Sequence, residues 1–388
     1  MNLDYAHRRR SLAGVIAAMA VVNLVYGITF PLMALVLDGQ GVSKTLIGLS
    51  TMSQAAAILL MAPIAPRLMR RFAPARLMQT ASVTLALLFI VAGLIPNVWF
   101  WFPLRFIIGA FNAMLWVSSE TLINDLAGER WRGRIIGIYS SVGSAGYALG
   151  PLLLIATGSK GMLPFYSTSA LILCAALPLF AARDHHLMPL TGEAPAGVWG
   201  MVLLAPAIML TNLVCAASIE SQVTFFPLFG LSLGISENFA LWLLTMIGIG
   251  STVLILPLSW LADHVNRLGL LLSCVVLTML GLLAMPHVLA YPIPAQLFAL
   301  AFGGAEGMIY ALGLMLLGER FKGPMLAAAS TTFTASWAAG ILLGPFVVGA
   351  GMDWFGANSM ALLVFGLFAV YLPVPLIAWM RSKRQQPG

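Results

Sequence analysis

Twelve apolar stretches, each close to the length of a membrane-spanning helix, follow one another along this 388-residue chain and leave only short segments between them. They lie at approximately 12–37, 45–66, 77–95, 99–125, 135–157, 163–181, 200–229, 238–262, 269–285, 294–317, 325–350 and 357–380. A helix needs about 20 apolar residues to cross a hydrocarbon layer of ~30 Å. Membrane barrels are built instead from segments of about ten residues with alternating polarity, and no such pattern occurs. Composition agrees: 60% of the residues are hydrophobic and only 9% are charged, against roughly 25% charged in a soluble chain. The fold class expected is an all-α membrane protein with twelve transmembrane helices.

Basic residues collect in cytoplasmic loops. With the N-terminus inside, 17 of the 20 Lys and Arg residues fall on the cytoplasmic side, while Lys44 and Lys160 fall outside and Arg105 lies within a span. The opposite orientation inverts this ratio. A multi-pass protein of the cytoplasmic (inner) membrane is therefore expected, with both termini cytoplasmic. Topology also accounts for the net charge of +7, so no nucleic-acid partner is expected. Cys174, Cys215 and Cys274 are scattered through apolar runs and offer neither a disulfide framework nor metal-ligand spacing. There is no phosphate-binding loop of the ATPase type. No metal, no cofactor and no enzymatic reaction is expected.

The chain repeats itself. GERWRG (Gly128 to Gly133) returns as GERFKG (Gly318 to Gly323), and Gly146, Gly150 and Pro151 return as Gly340, Gly344 and Pro345. RLMRRF (Arg67 to Phe72) occupies the place of WLADHV (Trp260 to Val265). The offsets are 190, 194 and 193 residues, close to half the chain, as a duplication produces. The expected organisation is an N-terminal six-helix bundle (1–181), a cytoplasmic linker (182–199) and a C-terminal six-helix bundle (200–388).

Ionisable groups at membrane depth are costly and mark functional positions. Four stand out: Arg105 and Glu120 in the fourth span, Glu220 in the seventh and Glu306 in the tenth. Asn23, Tyr26 and Thr29 in the first span add uncharged polarity, as do Asn112, Asn212, Gln222 and Tyr310. Glu306 falls halfway along its span, where a fixed charge costs most, so a carboxyl there suits a reversible proton carrier. Glu220, followed by Ser221, Gln222, Phe225 and Phe226, suits a proton or the cationic end of a substrate. A structural hydrogen bond between helices is the competing role for both. Arg105 would hold an anionic substrate group, tune Glu220, or snorkel to the outer interface. Glu120 comes fifteen residues later, about 22 Å along the axis, near the cytoplasmic end, where a gate pair with Arg70 or Arg71 is expected. Aromatic side chains beside these positions, Trp116, Phe226 and Tyr310, join the candidate substrate-binding set. Trp99 and Trp101 are expected in an interfacial belt.

Two parallel six-helix repeats with both termini inside resemble the major facilitator superfamily of secondary transporters. The superfamily's loop motif, G-x-x-x-D-R-x-G-R-R, is similar to Ser259 to His264, which keeps Asp263 with Arg267 nearby. In the first half Arg70 stands in the Asp position and Arg71 follows, so the usual gate does not transfer there. Arg70 would need an acidic partner, with Asp125, Glu129 and Glu319 as candidates, or is simply a solvated basic residue. R-F-x-x-G and W-V-x-x-E in the fourth span (Arg105, Phe106, Gly109, Trp116, Val117, Glu120), with Gly303, Gly304 and Tyr310 in the tenth, resemble the YcaD-like branch. The resemblance implies that the first, fourth, seventh and tenth spans line a central cavity and that the bundles rock to give alternating access. G-x-x-x-G-P at Gly146, Gly150 and Pro151 resembles a proton-antiporter motif, although glycines at this spacing also serve close helix packing.

A proton-coupled secondary transporter exporting a small amphipathic organic compound by proton antiport is the function expected. Proton symport of a polar metabolite or carboxylate, or flipping of a lysolipid, are the alternatives. Its partners would be that small molecule, protons and the bilayer, with the chain acting as a monomer.

Overall fold

A computed structural model describes residues 2–61, 64–69, 71–126, 132–180 and 202–384, and every regular element among them is helical. In the first half these are α1 (Asn2–Asp38), α2 (Lys44–Met61), α3 (Ala65–Met69), α4 (Pro74–Leu94), α5 (Val98–Leu126), α6 (Arg132–Thr157) and α7 (Leu163–Phe180). In the second half they are α8 (Pro206–Ser232), α9 (Glu237–Val253), α10 (Ile255–Ala262), α11 (Arg267–Val288), α12 (Pro292–Arg320), α13 (Gly323–Phe355), α14 (Met360–Tyr371) and α15 (Pro373–Arg384). Eleven stretches are long and apolar enough to cross a membrane, and a shorter apolar helix covers Leu163–Leu177. Together these meet all twelve expected spans. The linker expected at 182–199 and Arg70 lie outside the described residues.

Prolines account for most of the differences in helix boundaries. The eighth span is broken at Leu254 into α9 and α10, because Pro257 cannot donate to the carbonyl of Val253. The twelfth is broken at Leu372, ahead of Pro373 and Pro375. α8 begins at Pro206, later than the hydrophobic run, since proline is suited to the first helical turn. The second expected span (45–66) is described as α2 to Met61 and as α3 from Ala65, and Pro66 lies in the first turn of α3. Trp99 is 69% exposed, as an interfacial ring should be. Trp101 is fully buried, and its indole donates to the carbonyls of Ala92 (3.2 Å) and Ile95 (3.0 Å), so it closes the α4–α5 turn instead of joining a belt.

Packing divides the chain into two compact units, Met1–Val42 with Ser50–Thr191, and Ser43–Leu49 with Gly192–Gly388. The main helix pairs recur between them: α1 packs on α6 as α8 packs on α13, and α4 on α7 as α11 on α14. Glycine makes the first of these pairs possible. A Cβ on Gly150 would lie 2.6 Å from the carbonyl carbon of Gly27 in α1, and one on Gly146 2.3 Å from the oxygen of Ala20. In the second unit, Cβ atoms on Gly340 and Gly344 would lie 2.2 Å and 2.4 Å from the carbonyl oxygens of Leu213 and Ala217 in α8. Pro151 and Pro345 follow within the same helices. Lipid offers no hydrophobic drive between helices, so contact this close supplies much of the adhesion.

Within the second unit the first turn of α2 is capped by α13. Asp353 accepts from the amides of Lys44 (2.9 Å) and Thr45 (2.7 Å) and from the Thr45 hydroxyl (2.6 Å). The carboxylate thereby meets amides that have no partner within their own helix, and its charge suits the positive helix end.

Gly150→Leu and Gly344→Leu should each destabilise by several kcal/mol through overpacking against backbone. Gly137→Leu, at a position where an added Cβ would meet nothing within 4 Å, should leave the melting temperature unchanged. Asp353→Asn should cost about 1 kcal/mol through weaker capping, read as a lower melting temperature of the purified protein.

Candidate functional site

Arg105 in the first unit and Glu306 in the second are buried charged side chains gripped by neutral partners. In the second unit Glu306, on α12, is 3% exposed. One carboxylate oxygen accepts from the Ser218 hydroxyl and from Gln222 Nε2 (2.7 Å), and Gln222 also donates to Ser218 (2.9 Å). Thr211, Cys215, Ser218 and Gln222 recur at i, i+4, i+7 and i+11, so they form one polar stripe along α8. Cys215 approaches the Glu306 carbonyl at 3.9 Å, and Thr211 shares a hydrogen bond of 2.5 Å with the Tyr371 hydroxyl. Glycines flank the acid on α12. A Cβ on Gly303 would lie 1.9 Å from the Ile247 oxygen, and one on Gly307 2.8 Å from the Ser251 side chain, so α9 packs tightly beside it.

In the first unit Arg105, on α5, is fully buried. Its Nη1 donates to the Ser50 hydroxyl (2.8 Å), and Nε makes a long contact of 3.4 Å with the Gln54 side-chain oxygen. The guanidinium carbon stands 5.8 Å from the centre of the Phe30 ring. Gly109, one turn beyond, faces the same way: a Cβ there would lie 2.2 Å from the Gln54 carbonyl oxygen. The R-F-x-x-G motif thus joins a buried cation to the close approach that brings α2 within its reach. Snorkelling is ruled out by this burial and by the Ser50 bond.

The other candidate residues divide. Gln222 belongs to the Glu306 cluster. Glu220 is buried on α8, but at about 100° per residue it points away from the Ser218–Gln222 face, so the two acids do not share one cluster. Asn212 donates to the Phe333 carbonyl on α13 (2.5 Å), a helix-to-helix bond. Asn23 donates to the Met19 carbonyl of its own helix (2.9 Å), and Asn112 is half-buried. Tyr26 packs edge-on against Phe30, with centroids 4.9 Å apart. Phe226 is buried against Phe229, a core contact. Tyr310 is partly exposed and meets Trp337 edge-on at 5.2 Å.

The gate candidates can be followed only in part. Trp116 is exposed and its indole donates to Glu120, one turn along the same helix, at 2.7 Å. Arg71 is exposed and makes no ion pair among the described residues, so the Glu120–Arg71 pair is not formed. The Asp125 side chain and Glu129 lie outside the described residues. Asp263 pairs with Arg267 (2.8 Å), which also reaches Glu319 at the end of α12 (2.8 Å). Glu319 is therefore engaged by Arg267 of its own unit. Both acids are well exposed, and such pairs contribute only about 0–1 kcal/mol.

Ser50, Gln54 and Ser218 are partners that the sequence does not single out. Each is polar and uncharged within an apolar run, and the legible signal is the Ser-to-Gln spacing of four, which puts both side chains on one helix face.

Long apolar helices in two similar units, each holding a charge at membrane depth, define a multi-pass membrane transporter. The chain belongs to the Major Facilitator Superfamily, whose family model matches residues 15–236 and 208–388. It is thus a secondary transporter and not an enzyme. The uncharacterized MFS-type transporter YfkF of Bacillus subtilis (strain 168) is 26% identical over 365 residues, spanning 90% of this chain and 91% of that protein. The uncharacterized MFS-type transporter YcaD of Escherichia fergusonii is 27% identical, with 79% of each chain covered. Among solved structures, the nucleoside transporter NupG superposes with a TM-score of 0.79 at 13% identity, covering 95% of this chain and 99% of its own. A bacterial homologue of the lysosomal transporter Spinster, inward-facing and unoccupied, gives 0.71 at 14% identity over 96% and 95%. These structural likenesses concern the fold.

Removing a donor from a buried carboxylate leaves its desolvation uncompensated. Ser218→Ala and Gln222→Leu are each expected to cost about 1–3 kcal/mol, read as reduced thermal stability of the purified protein. Glu306→Gln, which keeps the shape, should cost less than either.

Proposed function

We propose that the protein is a proton-coupled secondary transporter of a small organic solute, working by alternating access in the cytoplasmic membrane. Glu306 is assigned as the proton-carrying group. The observation that carries this reading is its carboxyl, buried at mid-helix and held, among the described residues, by the neutral Ser218 and Gln222. A permanent cation beside it would fix the charged form, whereas neutral partners let the proton come and go. The distribution of basic residues supports cytoplasmic termini. The internal repeat supports bundles at 1–181 and 200–388 joined by the 182–199 linker.

Gly-x-x-x-Gly-Pro, the motif that favours export by antiport, meets helix backbone in the same way in both units. Packing explains it without reference to direction. Proton symport with an anionic solute is the second reading, favoured by the buried guanidinium of Arg105, which has no acidic partner among the described residues. The nucleoside and lysosomal cargo routes suggested by the solved structures rest on fold alone.

The test is proton flux in liposomes loaded with a pH-sensitive dye, under an imposed pH gradient, with cations, monocarboxylates, sugars and lysolipids offered in turn. Solute-dependent flux is expected from the native protein and a loss of at least tenfold from Glu306→Gln. Undiminished pH-driven flux in that variant removes Glu306 from the coupling role.

A further inference from the structure

We infer that Arg105, Gln54 and Ser50 form the binding site for the carboxylate of a small organic monoanion. The inference rests on the proton-coupled reading above and names the solute class that reading leaves open.

Arg105 carries five N–H donors on a group that stays charged at any physiological pH. Its Nη1 is engaged by Ser50 and its Nε only weakly by Gln54, while Nη2 is buried with no acceptor. Beside it, Gln54 Nε2 is buried with no acceptor either. Two adjacent side chains therefore lack the same thing, and both point to a group that accepts. A hydroxyl or a carbonyl would meet the hydrogen bonds but leave the cation unbalanced, which is costly at this depth. The Phe30 ring lies 5.8 Å from the guanidinium, and Tyr26 interacts favourably with its charge, but neither is an anion. Glu120, on the same helix, stands about 22 Å away along the axis. An oxyanion answers both deficits, and the guanidinium fork is shaped for the paired oxygens of a carboxylate.

Charge selects among oxyanions. One guanidinium balances one negative charge, which excludes a phosphate monoester carrying about −1.5 to −2. The setting selects an apolar body: Tyr26 lies half-buried, 4.9 Å from Phe30 and 6.2 Å from Tyr147 between ring centres. Flat aromatic faces at these distances suit an aliphatic or aromatic acid better than a polyol. One monocarboxylate moving together with one proton carried on Glu306 crosses the membrane with no net charge.

The experiment is thermal unfolding of the purified full-length protein, followed by tryptophan fluorescence at constant ionic strength, with acetate, lactate, benzoate, inorganic phosphate or chloride added. Benzoate should raise the melting temperature saturably by a few degrees, the smaller acids less, and phosphate and chloride not at all. Gln54→Glu supplies a carboxylate from within. That variant should melt higher than the native protein without any added acid and should lose the benzoate response. Arg105→Lys keeps the charge but not the fork and should weaken the response at least tenfold in concentration. Absence of a saturable shift with all three acids overturns the inference, as does a benzoate response that persists in Gln54→Glu. A response to phosphate equal to that of benzoate overturns the monoanion assignment. Glu306→Gln should keep the benzoate shift while losing proton flux, so failure of the carboxylate site and failure of the proton carrier give different patterns.

Discussion

A charge inside a bilayer-spanning helix has to find its hydrogen bonds among neighbouring helices, because the hydrocarbon offers none. Arg105 and Glu306 solve this with the same device. Ser50-Thr51-Met52-Ser53-Gln54 and Ser218-Ile219-Glu220-Ser221-Gln222 share the pattern S-x-x-S-Q, and in each the first Ser and the Gln close on the charge from one helix face. Glutamine is what allows one pattern to serve opposite signs, since its amide both accepts and donates. Gln54 offers its oxygen to Arg105, and Gln222 offers its nitrogen to Glu306. An opposite charge in the same place would lock the ionised form. A neutral clamp holds the group in position and leaves its charge to be altered by a proton or balanced by a solute.

Close backbone approach accompanies both of these buried charges, and glycines make it possible. A side chain the length of Gln spans a gap between helix axes only if the axes approach. Gly109 removes the methyl group that would otherwise meet the Gln54 carbonyl, and Gly303 does the same at Ile247. Arg105 and Gly109 are one turn apart on α5, and Glu306 lies between Gly303 and Gly307 on α12. On α5 the cation and the glycine both face α2, whereas on α12 the glycines meet α9 and Glu306 meets α8.

This division of labour also governs what can be read along the chain. Twelve spans, the repeat and the buried ionisable positions are legible because each leaves a linear signal: length, offset, or a charge in an apolar run. Helix breaks at Leu254 and Leu372 are legible in principle, through Pro257 and Pro373, yet hydrophobicity alone runs straight across them. The partners of the charges are not legible. Ser50, Gln54 and Ser218 are ordinary in-span polar residues, and their importance depends on which helix lies opposite, a tertiary fact. Glu220 shows the reverse case. An acid two residues from Gln222 looks like a neighbour in sequence, but the helical period turns it to the far side of α8. Trp101 misleads similarly, since an aromatic at a span end reads as interfacial until its indole is seen closing the α4–α5 turn.

The repeat itself shows where duplication was kept and where it was abandoned. Gly146 and Gly150 on α6, and Gly340 and Gly344 on α13, meet α1 and α8 in the same manner, because each unit needs the same adhesion to hold together. Buried charge does not follow that symmetry. The fourth and tenth spans are counterparts, yet one carries Arg105 and the other Glu306, and the grip on the first comes from α2 while the grip on the second comes from α8. A methyl group added at any of the four glycines meets backbone in both units, so selection on stability acts on both copies alike. Changing the sign of a clamped charge leaves helix packing intact, so the two copies were free to diverge. Stability must be met in each unit, whereas a proton carrier and an anion site, as proposed for Glu306 and Arg105, would each be needed once.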